Sequence, residues 1–254
     1  MKIMSVNIRP FRFVFALFLL VVLCAGTIAL TKTQTVYFGY TERKVPVYQV
    51  ETSEKKVALT FDAAWGSDKT SKIISICKEN NIEVTFFLVG FWVDANPDKV
   101  KEIYDAGFDI GTHSETHPQM SKLTQNQIEA ELTSSSNKIS AITGQKVRFF
   151  RPPYGDYNNL LLETANSLGL ITIQWDVDTL DWKGLSAGQI LNRVNSSVKS
   201  GSIILCHNNS DHITEALPEL ISSLKSKGYS FVKLSNLVYT DNYTIDNNGV
   251  QHKI

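Results

Sequence analysis

The pattern of apolar and polar positions alternates between two kinds of segment through most of this 254-residue chain. Short runs rich in β-branched and aromatic residues predict strands, and the longer stretches between them carry helix signals. Such repetition predicts an α/β fold with a parallel sheet and helical crossovers. The predicted strands are residues 57–61, 84–89, 108–111, 147–150, 170–175, 202–206 and 229–234. The predicted helices are residues 69–80, 97–106, 124–142, 158–168, 186–199 and 214–227.

Residues at the predicted helix ends support this alternation. Thr124 with Gln127, and Ser186 with Gln189, fit capping boxes at two helix starts. About seven strands suit a distorted (β/α)7-type barrel. An open doubly wound sheet is the alternative, but no GxGxxG motif follows the first strand. Glycines also stand between helix and strand, where a left-handed residue is favoured, at Gly107, Gly169, Gly201 and Gly228.

A run without a charged residue extends from Phe13 to Leu30. As a helix it would span about 27 Å, close to the roughly 30 Å hydrocarbon core of a bilayer. Lys2, Arg9 and Arg12 precede it, which predicts a cytoplasmic N-terminus. We therefore expect a single-pass cell-membrane protein with its main domain outside the cytoplasm. A cleaved signal peptide is the alternative, but the run lacks a clean small-x-small cleavage site.

Polar composition marks the segments on either side of the predicted domain. Residues 31–54 read as a stalk or lead-in strand, and residues 240–254 as a polar tail that frays. The predicted organisation is a cytoplasmic N-terminus (1–12), a transmembrane signal anchor (13–30), a stalk (31–54), one α/β domain (55–239) and the tail (240–254).

The overall charge is balanced, with 25 basic and 25 acidic residues. A net charge of zero gives no electrostatic reason to expect a nucleic-acid partner. The 43% hydrophobic content is enough for a full core. Cys24, Cys77 and Cys206 form neither a disulfide framework nor a CxxC metal motif. The sequence leaves the oligomeric state open.

Reactive side chains follow the predicted strands. His113 and His117 stand four residues apart, so on a helix they would share one face and could hold one metal ion. In a β/α barrel the carboxyl ends of the strands line one mouth, so these segments should meet there. The side chains that follow the strands are Asp62, His113, His117, Arg151, Pro152, Pro153, Tyr154, Asp176, Asp178, Asp181, Trp182 and His207.

Five ordered motifs resemble those of the polysaccharide deacetylases, the NodB-homology or carbohydrate esterase 4 family. They are TFDAAWG (60–66), HSETHP (113–118), RPPYG (151–155), DTLDW (178–182) and LCH (205–207). The resemblance covers residues 55–238. The TFDxxWG version, with an N-terminal anchor, is similar to the PdaB-type sporulation subgroup. The resemblance implies a distorted β/α barrel and metal-assisted hydrolysis of N-acetyl groups on a peptidoglycan-type cell-wall glycan.

The resemblance also implies catalytic roles. Asp62 matches the family's base, which takes a proton from water, and His207 matches its acid, which protonates the leaving amine. Arg151 would hold Asp62 ionised, and Asp181 would orient His207 and raise its pKa. Each residue has a simpler explanation: Asp62 could cap a helix, and Arg151 could form a surface ion pair.

The remaining matches concern metal and substrate. His113 and His117 would hold a divalent metal, with zinc favoured. The backbone N–H of Tyr154 would face the developing oxyanion, with Pro153 beside it in the substrate-binding turn. Trp182 and Trp65 could wall the acetyl or sugar pocket, or could simply be core residues.

One position departs from the family pattern. The family motif reads TFDDG, and its second aspartate is the third metal ligand, whereas this chain has Ala63. Catalytic zinc usually has three protein ligands, so we expect a weakly held ion. Asp62 could move onto the metal, waters could complete the shell, or the site could be empty. Glu115 is not expected to substitute, because on a helix it would point away from the two histidines.

Three functions of different class remain. The first is a membrane-anchored deacetylase of a peptidoglycan-type N-acetylated glycan. The second is a catalytically weak or inactive glycan-binding homologue, which Ala63 favours. The third is a purely structural anchored protein.

Overall fold

The computed structural model describes residues 14, 15, 17–22 and 42–254. Residues 14, 15 and 17–22 are helical, and the apolar side chains there are exposed. Among the described residues, no helix combines the length and apolar character needed to cross a membrane. The predicted N-terminus (1–12), more than half of the anchor predicted at 13–30, and residues 31–41 of the predicted stalk lie outside the described residues.

Each predicted strand and helix is confirmed, with ends shifted by a few residues. The strands of the described residues are β1 (Gln49–Val50), β2 (Lys56–Ala63), β3 (Thr85–Leu88), β4 (Asp109–Thr112), β5 (Phe149–Phe150), β6 (Ile171–Thr172), β7 (Val177–Asp178), β8 (Ile203–His207), β9 (Ser230–Phe231), β10 (Tyr243–Ile245) and β11 (Val250–Lys253). The α-helices are α1 (Thr70–Glu79), α2 (Gly90–Ala95), α3 (Pro97–Asp105), α4 (Gln125–Thr143), α5 (Asn159–Ser167), α6 (Ala187–Ser197) and α7 (Ile213–Ser226).

The main sheet is parallel, with strand order β6-β5-β4-β3-β2-β8-β7 and β9 beside β2. Its central strand β2 is buried along nearly its whole length, as expected for a strand covered on both faces. The strand order and the helical crossovers form an α/β half-barrel, in which the described strands do not close into a ring. This confirms the prediction of a distorted barrel.

Sequence-local signals set the helix boundaries. Both predicted capping boxes are present, at Thr124 with Gln127 and at Ser186 with Gln189. Each satisfies backbone N–H groups that the first helical turn leaves without partners. Gly201 has φ +79°, and a Cβ there would overlap the carbonyl oxygen of Val50. Only glycine therefore fits between the lead-in segment and β8.

The lead-in segment belongs to the domain. Residues Arg43–Ile254 form one unit, so the domain begins earlier than the predicted residue 55. Val47 bridges to Ile173 just after β6, and Gln49 bridges to Ser202 just before β8. The segment therefore links the edge strand β6 to the start of β8, the strand next to the opposite edge.

The tail does not fray as predicted. Its strands β10 and β11 form an antiparallel hairpin, and β11 also pairs in parallel with β1. The fully buried Gln251 accepts a hydrogen bond from the backbone N–H of Tyr239 and donates one to its carbonyl. The polar composition of the tail wrongly predicted fraying. Its polar side chains are ordered because they bond backbone groups that lack a backbone partner.

Candidate active site

A cavity of about 600 Å³ opens at the carboxyl ends of the parallel strands. Its lining shows that segments following different strands meet at one cavity, as predicted. It is lined by most of the predicted site residues, namely Asp62, Trp65, His113, His117, Tyr154, Asp178, Asp181, Trp182 and His207.

Asp62, the next-to-last residue of β2, is a buried carboxylate with two neighbours. Its Oδ1 accepts a hydrogen bond of 2.7 Å from Nη1 of Arg151, and its Oδ2 lies 3.5 Å from Nε2 of His113. Burial alone would raise the pKa of Asp62, but the charge and hydrogen bond of Arg151 outweigh it and the pKa is lowered. The carboxylate is therefore held ionised and facing the cavity.

Arg151 is fully buried, so it is not a surface ion pair. Besides Asp62, it donates to Oγ1 of Thr60 at 2.9 Å and to the carbonyl of Gln174 at 3.1 Å. Its guanidinium lies 4.2 Å from the ring centroid of Phe87. These contacts fix the direction from which Arg151 meets Asp62.

His207, at the end of β8, is held by Asp181. Oδ1 of Asp181 lies 2.8 Å from Nδ1 of His207, and Oδ2 accepts the backbone N–H of the same residue at 2.8 Å. Burial alone would lower the pKa of His207, but the hydrogen bond and charge of Asp181 outweigh it and the pKa is raised. With Nδ1 engaged, Nε2 is the ring nitrogen left for the cavity.

The two candidate metal ligands meet in a different way from the prediction. Residues 113–117 form a loop rather than a helix, with positive φ at Ser114 (71°) and His117 (59°). The imidazoles of His113 and His117 still lie together, with ring centroids 4.9 Å apart. The carboxyl group of Glu115 pairs with Lys138. The helical geometry from which Glu115 was expected to point away is absent, because the segment is a loop.

The chemistry of these two imidazoles suits a loosely held divalent ion. Nδ1 of His113 donates to the carbonyl of Arg151 at 2.7 Å, which leaves Nε2 free toward the cavity in the manner of metal-binding histidines. Burial and the neighbouring His113 lower the pKa of His117 to about 4, which keeps it neutral. Ala63 is fully buried and supplies no ligand. Among the described residues no group of three or more His, Cys, Asp or Glu side chains could hold a metal ion.

Exposed aromatic rings line the mouth of the cavity. Trp65, Tyr154 and Trp182 are each more than half exposed, so they are not core residues. The rings of Trp65 and Tyr154 pack edge-on against His117, with centroids 5.0 and 4.6 Å away. Tyr154 has φ 60° within a short 3-10 turn. Pro153 is buried in that turn and is not on the cavity wall, so its assignment to substrate binding stays a prediction.

Other positions differ from the sequence reading. Asp176 does not line the cavity, and its carboxylate instead accepts from Ser202 Oγ and from the N–H of Ile203 at the start of β8. Cys206 is fully buried, and burial raises the pKa of its thiol, so this side chain offers no reactive thiolate to the cavity.

Gln174 is a buried site residue that the sequence reading missed. Its carbonyl accepts from Arg151, and its side-chain amide donates to the carbonyl of Gly155 at 3.0 Å. Gln174 therefore links Arg151, the partner of Asp62, to the turn that contains Tyr154. Its one signal in the sequence is an amide at the end of an apolar strand.

Comparison with known proteins points to one family. The profile of the family described as Polysaccharide deacetylase matches residues 49–173. A Bacillus cereus peptidoglycan-N-acetylglucosamine deacetylase is 33% identical over 207 residues, which cover 80% of this chain and 75% of that protein. A Bacillus subtilis protein named "Uncharacterized protein YlxY" is 34% identical over 193 residues, 76% of this chain but only 60% of that protein.

A solved structure adds a functional contrast. BA3943 from Bacillus anthracis is described as a CE4 family pseudoenzyme. It matches with a TM-score of 0.74 and 36% identity, covering 83% of this chain and 73% of the other. A mutant of BA3943 with the same TM-score and identity is described as having restored enzymatic activity.

Proposed function

The chain belongs to the polysaccharide deacetylase family, and we propose that it removes N-acetyl groups from a peptidoglycan-type glycan. The observation that carries the proposal is the presence of two charge pairs at one cavity, Asp62–Arg151, which is buried, and His207–Asp181, which is partly buried. Arg151 lowers the pKa of Asp62, and Asp181 raises that of His207. Two titratable groups whose pKa values are pushed apart are the signature of a base and an acid working together.

The proposed reaction follows from these two groups. Asp62 takes a proton from a water molecule as the water oxygen bonds to the acetyl carbonyl carbon. The backbone N–H of Tyr154 donates to the oxygen that gains charge. His207 passes its Nε2 proton to the amide nitrogen as the C–N bond breaks, giving acetate and a free amine. A weakly held divalent ion, zinc by preference, would be bound by His113 and His117 and would polarise the acetyl carbonyl.

Acetate release tests this proposal. The full chain is incubated with N-acetylglucosamine oligomers or cell wall, with and without added zinc or cobalt. We expect release that depends on added metal and that Asp62→Asn abolishes. Asp98→Asn, at the exposed start of α3, is the matched control and should leave the rate unchanged. Release that survives Asp62→Asn would overturn the assigned base.

A second candidate function is glycan binding without turnover. Ala63 leaves two imidazoles without a dedicated third ligand, and a related structure is described as a pseudoenzyme. The exposed rings of Trp65 and Trp182 would still bind a sugar face. Oligosaccharide binding together with zero acetate release under every metal would favour this second function.

We also propose that residues 13–30 anchor the protein in the cell membrane, with residues 43–254 outside the cytoplasm. The support is the uncharged run and the basic residues before it. Alkaline extraction of membranes tests the anchor, because an anchored chain stays in the pellet. A sporulation role is proposed from the resemblance of the TFDxxWG motif, and a reporter fusion followed through spore formation tests it.

A further inference from the structure

One face of α4 carries three polar side chains that point at the loop bearing His117. Glu131, Ser135 and Lys138 are spaced i, i+4 and i+7, so they lie in a row along the helix. We call this row the α4 polar stripe. None of the three falls within the five motifs noted in the sequence.

Glu131 makes the closest set of contacts. Its Oε2 accepts the backbone N–H of Glu115 at 2.9 Å and that of Thr116 at 2.8 Å. Its Oε1 accepts the hydroxyl of Thr116 at 2.6 Å. One carboxylate thus binds two successive backbone donors that neither helix nor sheet satisfies.

The backbone around these donors needs such support. Ser114 and His117 both adopt the left-handed region, which L-residues populate rarely. This conformation persists only where the surroundings hold it. The hydroxyl of Ser114 accepts the N–H of His117 at 3.0 Å, which closes the loop on itself.

The other members of the stripe act on the same loop. Ser135 is fully buried and bonds Oγ1 of Thr112, which in turn accepts the N–H of Ser114. Lys138 pairs with the carboxylate of Glu115. Each side chain of the row therefore reaches the segment between β4 and His117.

We propose that Glu131 is a positioning residue for His117: it fixes the left-handed loop that presents this imidazole to the cavity. The proposal rests on the proposed function in taking His117 as a site residue. Because Glu131 does not line the cavity, it acts through the loop and not on the substrate. Loss of a group bonded directly to a metal ligand typically changes metal affinity by about 10–100-fold. Glu131 bonds the residues next to His117, so we expect an effect at the lower end of that range.

The test compares Glu131→Ala and Glu131→Gln with Glu129→Ala in the full chain. Glu129 lies on the same helix and bonds Gln125, so it is the matched control. The first readout is zinc affinity, measured by competition with a chromophoric chelator in the wild-type and Ala63→Asp backgrounds. The second, which needs no metal, is amide hydrogen exchange at Glu115 and Thr116.

We expect Glu131→Ala to weaken zinc binding at least tenfold and to speed exchange at both amides. Glu131→Gln keeps one acceptor oxygen and should recover part of each effect. The control should match its parent. If Glu131→Ala does not fold, Glu131→Gln decides, and if neither background binds zinc, hydrogen exchange decides.

The proposal is overturned if the zinc affinity of Glu131→Ala stays within twofold of the Glu129→Ala control in a background that binds zinc, even where the two amides exchange faster. Where neither background binds zinc, it is overturned if exchange at both amides stays within twofold of that control. Loss of zinc affinity in Glu131→Ala supports the positioning role even where no variant releases acetate. An absence of acetate release would contradict the proposed deacetylase activity alone, so the two proposals fail separately.

Discussion

Replacing Arg151 by methionine should destabilise the fold and do so most strongly at neutral pH. The substitution removes the partner of a carboxylate that is only 5% exposed. Breaking a buried ion pair by removing one partner costs about 3–5 kcal/mol. Methionine approximates the length of the arginine stem, so most of the loss should be electrostatic.

The pH dependence has a definite sign. In the wild type the pKa of Asp62 is lowered by Arg151, so this pair's stabilisation is present above the carboxyl's unfolded pKa and lost as pH falls through the folded one. In Arg151→Met, burial is no longer offset, so the pKa of Asp62 rises and the carboxyl takes up a proton in the native state. The deficit relative to wild type should therefore shrink between about pH 8 and about pH 4.

Urea unfolding followed by circular dichroism measures the effect for wild type, Arg151→Met, Asp62→Asn and the double variant. The double variant removes both charges, so it should be less destabilised than the sum of the single variants, with a coupling of about 2 kcal/mol or more. Additive single effects, or a deficit that does not change with pH, would refute the assignment of Arg151 as the charge that holds Asp62 ionised.

Three further predictions concern the rest of the domain. Asp181→Asn should lower the pKa of His207, which NMR titration of the imidazole measures. In the wild type the pair stabilises the fold below the pKa that His207 has in the unfolded chain, and this contribution is lost as pH rises through its pKa in the folded protein. An unmoved titration would contradict the pairing. Ala63→Asp should strengthen zinc binding at least tenfold by adding a third ligand, which calorimetry measures and an unchanged affinity would refute. Deleting residues 240–254 should lower the melting temperature by several degrees, because β11 would no longer pair with β1, and calorimetric scans that overlap would disprove this.

Much of the fold could be predicted because local and global signals agree. Apolar runs marked the strands, and the Thr124–Gln127 capping box placed the start of α4 at its observed position. Helix α2 was missed because Gly90–Ala95 follows β3 within one continuous apolar stretch. Periodicity cannot divide a strand from a short buried helix in such a stretch. The two-residue strand β7 is too short for any periodic signal.

The histidine loop shows why spacing alone was insufficient. The four-residue spacing of His113 and His117 favoured a helix, yet Pro118 follows His117. A residue before proline avoids the right-handed helical region, so the signal against a helix was present in the sequence. Contacts from residues far along the chain, such as Glu131 and Gln174, then decide the geometry of the site. No local pattern encodes those contacts.

The parallel pairing of β11 with β1 has a consequence for biosynthesis. Gln49 and Val250 face each other in the register of the two strands, although they lie near opposite ends of the domain's sequence and are synthesised far apart in time. Contacts so distant along the chain form late, after their loop-closure entropy has been overcome. A nascent chain can therefore pair its central strands early, but β1 cannot pair fully with β11 until residue 253 has left the ribosome.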